Sequence, residues 1–129
     1  MYKRQHLDTI GRSLGGRAIV AVKIGAADDS PARPNVLYMA TYHAREWAAT
    51  EMALRLVRHL AEPRGADPRR DSLIDRRDVW IVPVVNVDGY QHTFDAERLW
   101  RKNRRPLGLV NGVPAFGVDL NRNLSLIHI

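Results

Sequence analysis

The sequence predicts an α/β fold built on a parallel or mixed sheet, and three observations carry that prediction. Val36 to Ala40, entered through Pro34, is a short apolar run with β-formers that reads as a buried strand. Directly after it, Ala49, Met52, Ala53, Leu56, Val57 and Leu60 recur at three- and four-residue spacing, the stripe of an amphipathic helix. Val79 to Val87, reading VWIVPVVNV, is the most apolar run of the chain and reads as a central strand. A strand that feeds a helix and is followed by another apolar strand is the pattern of an α/β sheet.

The elements follow in order. Met1 to His6 is polar and lacks the apolar stretch of a secretory leader. Ile10 to Ile24 turns on Gly15 and Gly16, and Arg17 to Ile24 is a partly alternating strand. Gly25 to Pro34, with Asp28, Asp29, Ser30 and Pro31, is a loop by composition. The helix from Ala48 to Leu60 is ended by Pro63, Gly65 and Pro68. Arg69 to Arg77 is a short helical connector whose charges form a solvated face. Pro83 places a local irregularity in the Val79 strand, because proline cannot donate to a ladder. Asn86, Asp88 and Gly89 form the structural turn after it. Glu97 to Arg105, ERLWRKNRR, reads as a basic loop anchored in the core by Leu99 and Trp100. Asn111 to Pro114 is a turn, and Val118 to Asn123, VDLNRN, is a short strand running into polar residues.

Composition bounds the function classes. At 129 residues, with 45% hydrophobic and 26% charged residues, the chain is globular and suited to one core. No apolar run approaches the length of a membrane span. With no cysteine, disulfides and thiolate metal sites are excluded, and any metal falls to His, Asp and Glu. The net charge of +6 rests on arginine: only Lys3, Lys23 and Lys102 are lysines among the 20 basic residues. Arginine binds carboxylate or phosphate through a planar fork. The basic stretch Arg98 to Arg105, with Trp100 available for base stacking, keeps a nucleic-acid-binding module as an alternative of another class.

The chemistry concentrates where the Val36 strand meets its helix, in Tyr42 to Trp47, YHAREW. The carboxyl ends of strands in open α/β sheets are where ligands collect. His43 and Glu46, three apart across one turn, can reach one cation, and imidazole with carboxylate suits zinc. A carboxylate in the first helical turn is also favoured by the helix dipole alone. Two other polar groups, Asn86 with Asp88 and Asp119 with Asn121 and Arg122, follow apolar runs. A parallel or mixed sheet brings such ends into one crevice with Arg45. Arginines beside a metal suit an anionic substrate or a developing oxyanion.

HAREW, then RLWRKNR, then VDLNRN, with IGRSLGGR before the first strand and VVNVDGY after the central one, resembles the zinc metallocarboxypeptidases, the carboxypeptidase A/B family, from about Ile10 to Asn123. The resemblance implies a three-layer α/β/α sandwich on a mixed sheet and hydrolysis of the C-terminal peptide bond of peptides or proteins. It implies His43 and Glu46 as two of three ligands to one Zn2+, and Arg101 as the residue that polarises the scissile carbonyl. It implies Asn121 and Arg122 as the grip on the terminal carboxylate, Arg45 and Arg98 as further substrate contacts, and Asp119 as the carboxylate that orients His43.

The family pattern places a third ligand histidine, a tyrosine and a general-base glutamate further on. Residues 1–123 therefore read as the N-terminal part of such a catalytic domain, from a truncated gene or gene model, and 124–129 as an unrelated tail. His128 follows Arg122 too closely to match the third ligand. The expectation for the chain alone is weak zinc binding without hydrolysis, and an incomplete sheet with an exposed apolar edge along Val79 to Val87. The family also implies an extracellular setting. A zinc deacylase of N-acyl amino acids on the same fold is the alternative within the class, and HAREW with RLWRK favours the peptidase.

Overall fold

A computed structural model describes residues 5–26 and 32–124. Four strands, β1 (Gln5–Arg12), β2 (Ala18–Ile24), β3 (Asn35–Met39) and β4 (Asp78–Val82), form a mixed sheet in the order β1-β2-β4-β3. The β1–β2 and β2–β4 pairs are antiparallel, while β3 runs parallel to β4. A parallel pair needs a crossover, and it is made by α1 (Trp47–Leu60) and α2 (Pro68–Arg76). Beyond β4 come α3 (Val87–Asp95), the hairpin β5 (Pro106–Val110) and β6 (Val113–Phe116), and a 3-10 turn at Leu120–Arg122. The architecture is α/β, as the sequence predicts.

Register explains the core. Val22 stands opposite Ile81, and Ile24 opposite Val79, so these four side chains share one face of the sheet. The α1 stripe closes on that face: Ala53 and Leu60 are buried with the four strand residues, and Leu56, Val57 and Ile74 of α2 pack against them. Trp47–Leu60 begins one residue earlier than the helical periodicity suggests, with Glu46 at the N-cap position but no side-chain cap hydrogen bond.

Several expectations are corrected. Gln5–Arg12, where the sequence suggested no element, is a strand: β1 pairs with β2 across the Ser13–Arg17 turn, where Gly16 has φ +78°. Its solvent-exposed face hides it from a search for apolar runs, since seven of its eight residues are exposed. The Val36 strand is a sheet edge, not buried, with Leu37, Tyr38 and Met39 all exposed. Conversely, the exposed apolar edge expected at Val79 to Val87 lies in the interior, for β4 is flanked by β2 and β3 and Val79, Ile81 and Val82 are buried.

That strand also ends at Val82, so Pro83 lies outside the ladder, and Val87 opens α3. Asn86 is the cap of that helix, its side chain accepting from Gly89 N. The Arg69 to Arg77 segment is a helix with Pro68 in its first turn and Asp67 as cap, but its face is not wholly solvated: Arg70 is buried. Its guanidinium donates to Glu62, Asp71 and the Pro63 and His59 carbonyls.

Leu99 is 67% exposed and anchors nothing, whereas Trp100 is half-buried. The Asn111 turn is tighter than expected: Asn111 (φ +52°) and Gly112 (φ +78°) alone join β5 to β6, as a two-residue hairpin of left-handed residues requires. Val118 to Asn123 is not a strand, because Asp119 caps the 3-10 turn by accepting from Asn121 N. Asp28, Asp29, Ser30, Pro31 and His128 lie outside the described residues, as does all of the 124–129 tail beyond Leu124.

Candidate active site

The chain leaves β3 through Thr41, a residue with φ +57° in the left-handed region, which β-branched side chains rarely adopt. Its hydroxyl is buried against that of Thr50 at 2.7 Å and donates to the Pro83 carbonyl. Residues leaving β4 run alongside: Val85 N donates to Ala40 O and Asn86 N to Thr41 O. The parallel β3–β4 pair thus continues beyond its ladder, and His43 emerges at the carboxyl end of the sheet.

His43 is buried, and each ring nitrogen faces a carboxylate. Nδ1 lies 2.9 Å from Glu46 Oε1 and Nε2 lies 3.2 Å from Asp119 Oδ1. The second oxygen of Asp119 accepts from Arg101 Nε at 3.0 Å. Asp119 therefore joins the histidine to the arginine. The Arg101 hydrogen bond, aided by those from Asn121 N and His43, holds the Asp119 carboxyl below its ordinary value against the opposing effect of burial.

Three backbone features bring Asp119 here. Ala44 N donates to Arg101 O, which docks the loop after α3 onto the His43 turn. Asn103 N donates to Val118 O, and Val118 N to Asn103 Oδ1, which pairs that loop with the segment leading to Asp119. Between them Gly117, at φ +95°, approaches so closely that a Cβ would sit 2.7 Å from Lys102 Cβ and 2.8 Å from Asn103 O. Only glycine fits there.

The remaining candidate residues sit around this centre. Asn121 and Arg122 lie in the exposed 3-10 turn directly after Asp119. Arg98 stacks 3.6 Å over the Trp47 ring and donates to Arg45 O at 3.2 Å, while Arg45 itself is exposed. Trp47 in turn stacks on Phe94 and donates from Nε1 to Thr93 Oγ1. In the basic stretch weighed as a nucleic-acid module, Arg98 and Arg101 are engaged as above. Arg104 lies over both Trp100 and Phe116, and His92 meets the Trp100 ring edge-on. Sequence reasoning treated Asn86 only as a structural turn residue and missed Thr41 entirely. Asn86 was visible as an Asn before a helix-start Asp-Gly; no local signal marks Thr41.

The donor set fits a zinc ion in part. A neutral imidazole has one N–H. If Nε2 donates to Asp119, the Nδ1 lone pair faces Glu46 Oε1, two acceptors turned toward one another, which a cation between them resolves. Among the described residues, no group of three or more His, Asp and Glu side chains is arranged to hold a metal ion, since Glu46 and Asp119 face opposite nitrogens of His43.

The mixed sheet thus presents a carboxylate-flanked histidine and an arginine at its carboxyl end. Residues 2–126 match the zinc carboxypeptidase family model, and the chain belongs to that family. It is 36% identical over 123 residues to a zinc carboxypeptidase of Saccharothrix mutabilis subsp. capreolus, covering 91% of this chain and 26% of that one. With human carboxypeptidase B it shares 34% identity over 116 residues, covering 90% and 27%. The crystal structure of carboxypeptidase A from Helicoverpa armigera superposes with a TM-score of 0.80 at 34% identity, over 94% of this chain and 29% of the other. The chain thus spans about a quarter of the length of these curated relatives.

Proposed function

We propose that this chain contributes part of the active site of a zinc-dependent carboxypeptidase, which hydrolyses the C-terminal peptide bond of peptides or proteins. The observation that carries the reading is His43 held between Glu46 and Asp119, with Arg101 fixed to the same Asp119 carboxylate. His43 and Glu46 hold the metal, and Asp119 fixes the imidazole tautomer so that Nδ1 presents its lone pair. A zinc ion held by them would supply Lewis-acid polarisation of the scissile carbonyl and a water whose pKa is lowered to about 7.

The chain's own residues do the rest. Arg101 is tied to Asp119 through Nε, and in this reading its terminal nitrogens donate to the carbonyl oxygen as charge develops there. Asn121 and Arg122, exposed and adjacent to Asp119, receive the free carboxylate of the substrate, an ion that an arginine fork matches with two parallel bonds. Arg45 and Arg98 contact residues further along the peptide. Such a grip restricts hydrolysis to the chain end, because an internal residue offers no carboxylate.

Calorimetric titration of Zn2+ tests the metal pair. Binding to the 129-residue chain is expected to be weaker than to a three-ligand site, and lost in His43→Ala and Glu46→Gln. Equal binding by the parent and both variants overturns the assignment. For the carboxylate grip, a short peptide with a free C-terminus is expected to shift the Asn121 and Arg122 amide resonances, and its C-terminal amide is not. Identical shifts with both peptides count against it.

A further inference from the structure

We propose that Asn86 is a positioning residue for this site: its carboxamide clamps the metal-ligand segment and the arginine segment to each other. This rests on the reading that His43 and Arg101 serve one active centre. Asn86 is 3% exposed, and its Nδ2 donates to Tyr42 O at 3.0 Å and to Lys102 O at 3.1 Å. Tyr42 immediately precedes His43, and Lys102 immediately follows Arg101. One amide group thus holds the residue before the ligand and the residue after the arginine. Ala44 N also donates to Arg101 O, so the ligand segment is tied on both sides of His43, and the arginine segment is held at two successive carbonyls, those of Arg101 and Lys102.

The orientation of the carboxamide is fixed by its partners. Oδ1 accepts from Gly89 N at 3.1 Å; reversing the group would set oxygen against two carbonyls and N–H against N–H. Asn86 is itself rigidly held, by its own N–H on Thr41 O and by its carbonyl on Tyr90 N. Close packing at the same spot is shown independently by Gly89, where a Cβ would lie 2.6 Å from both Asn86 Oδ1 and Lys102 O. A helix cap needs only the acceptor. The two donations go beyond capping, and both end at the site.

Only asparagine among the good caps supplies acceptor and double donor together. Asn86→Asp has the same size and keeps the acceptor, but turns an oxygen toward two carbonyls. Asn86→Ser keeps a capping hydroxyl and removes the reaching arm.

The test is 15N NMR on the metal-free full chain and both variants. In each variant the Ala44 amide is expected to exchange at least about tenfold faster than in the parent, beyond any change at interior β4 amides such as Ile81. The His43 Nε2 resonance is expected to move as its distance to Asp119 relaxes. Unchanged Ala44 exchange and His43 resonance overturn the proposal. So does acceleration of Ala44 and Ile81 in parallel, or unfolding of both variants, since each marks a role in the whole fold. If Asn86→Asp alone unfolds, Asn86→Ser decides. Zinc titration of His43→Ala separates the two ideas: retained zinc binding there overturns the active-site reading and leaves the clamp to the NMR result.

Discussion

Removing the Asp88 carboxylate is expected to loosen the joint between the first hairpin and α3. Asp88 sits in the first turn of α3, with its side chain 10% exposed, and accepts from Ser13 Oγ at 2.7 Å, Gly15 N at 2.9 Å and Arg17 Nη1 at 2.9 Å. Gly15 is confined there, as a Cβ would lie 2.6 Å from Asp88 Oδ1. Hydrogen bonds to a charged group contribute about 1.5–3 kcal/mol each. Gly15 and Arg17 are exposed and regain water when the carboxylate is lost, so each bond counts near or below the low end. Asp88→Ala is therefore expected to cost about 2–4 kcal/mol, and Asp88→Asn, which keeps one acceptor oxygen, about half of that.

Urea unfolding followed by circular dichroism at pH 7 reads both values. The pH dependence supplies a second check. Burial pushes the Asp88 carboxyl up, but the bonds from Gly15, Ser13 and Arg17 together hold it below its ordinary 3.8. A carboxyl depressed in the folded state adds stability that is full above its unfolded value and fades as pH falls through the lower folded one. The gap between the parent and Asp88→Asn is thus expected to be constant near neutrality and to close below about pH 4. A loss under about 0.5 kcal/mol for Asp88→Ala, or a gap that does not narrow in acid, refutes the reasoning.

Two further outcomes are expected. Arg70→Met keeps the buried stem but strips four groups of their donor, and is expected to lower stability by about 2–4 kcal/mol in urea unfolding, with Arg70→Lys recovering less than half; a loss under about 1 kcal/mol contradicts the network. Arg98→Ala is expected to remove the stack on Trp47 at a cost of about 0.5–1 kcal/mol and to alter near-ultraviolet dichroism; an unchanged aromatic spectrum argues against that contact.

The local devices of the fold were legible because their signals are local. The α1 stripe, the Gly15–Gly16 turn and the short helical connector at Arg69 to Arg77 each follow from residues within a turn or two; that Pro68 opens this connector, as well as following the end of α1, did not. Errors fell where an element's neighbours decide its state. VWIVPVVNV is apolar at every position but Asn86, so periodicity cannot show that a strand stops at Val82 and a helix begins at Val87. β1 bears exposed residues on most of its length and is a strand because β2 pairs with it. Arg70 sits in a charged sequence, and only the fold of Glu62 and Pro63 back over α2 reveals that it is buried.

By itself the sequence determined the spacing of His43 and Glu46 across a helix start and the pattern of motifs that marks the family. What spacing and periodicity could not determine was which distant groups meet His43; for that only the family resemblance pointed to Asp119. Asp119 reaches it across 76 residues of chain, and Arg101 joins through the same carboxylate. That meeting depends on Asn86 bonding two segments at once and on the close approach at Gly117. Neither leaves a periodic trace, because a contact between remote segments is set by how sheet and loops close in space.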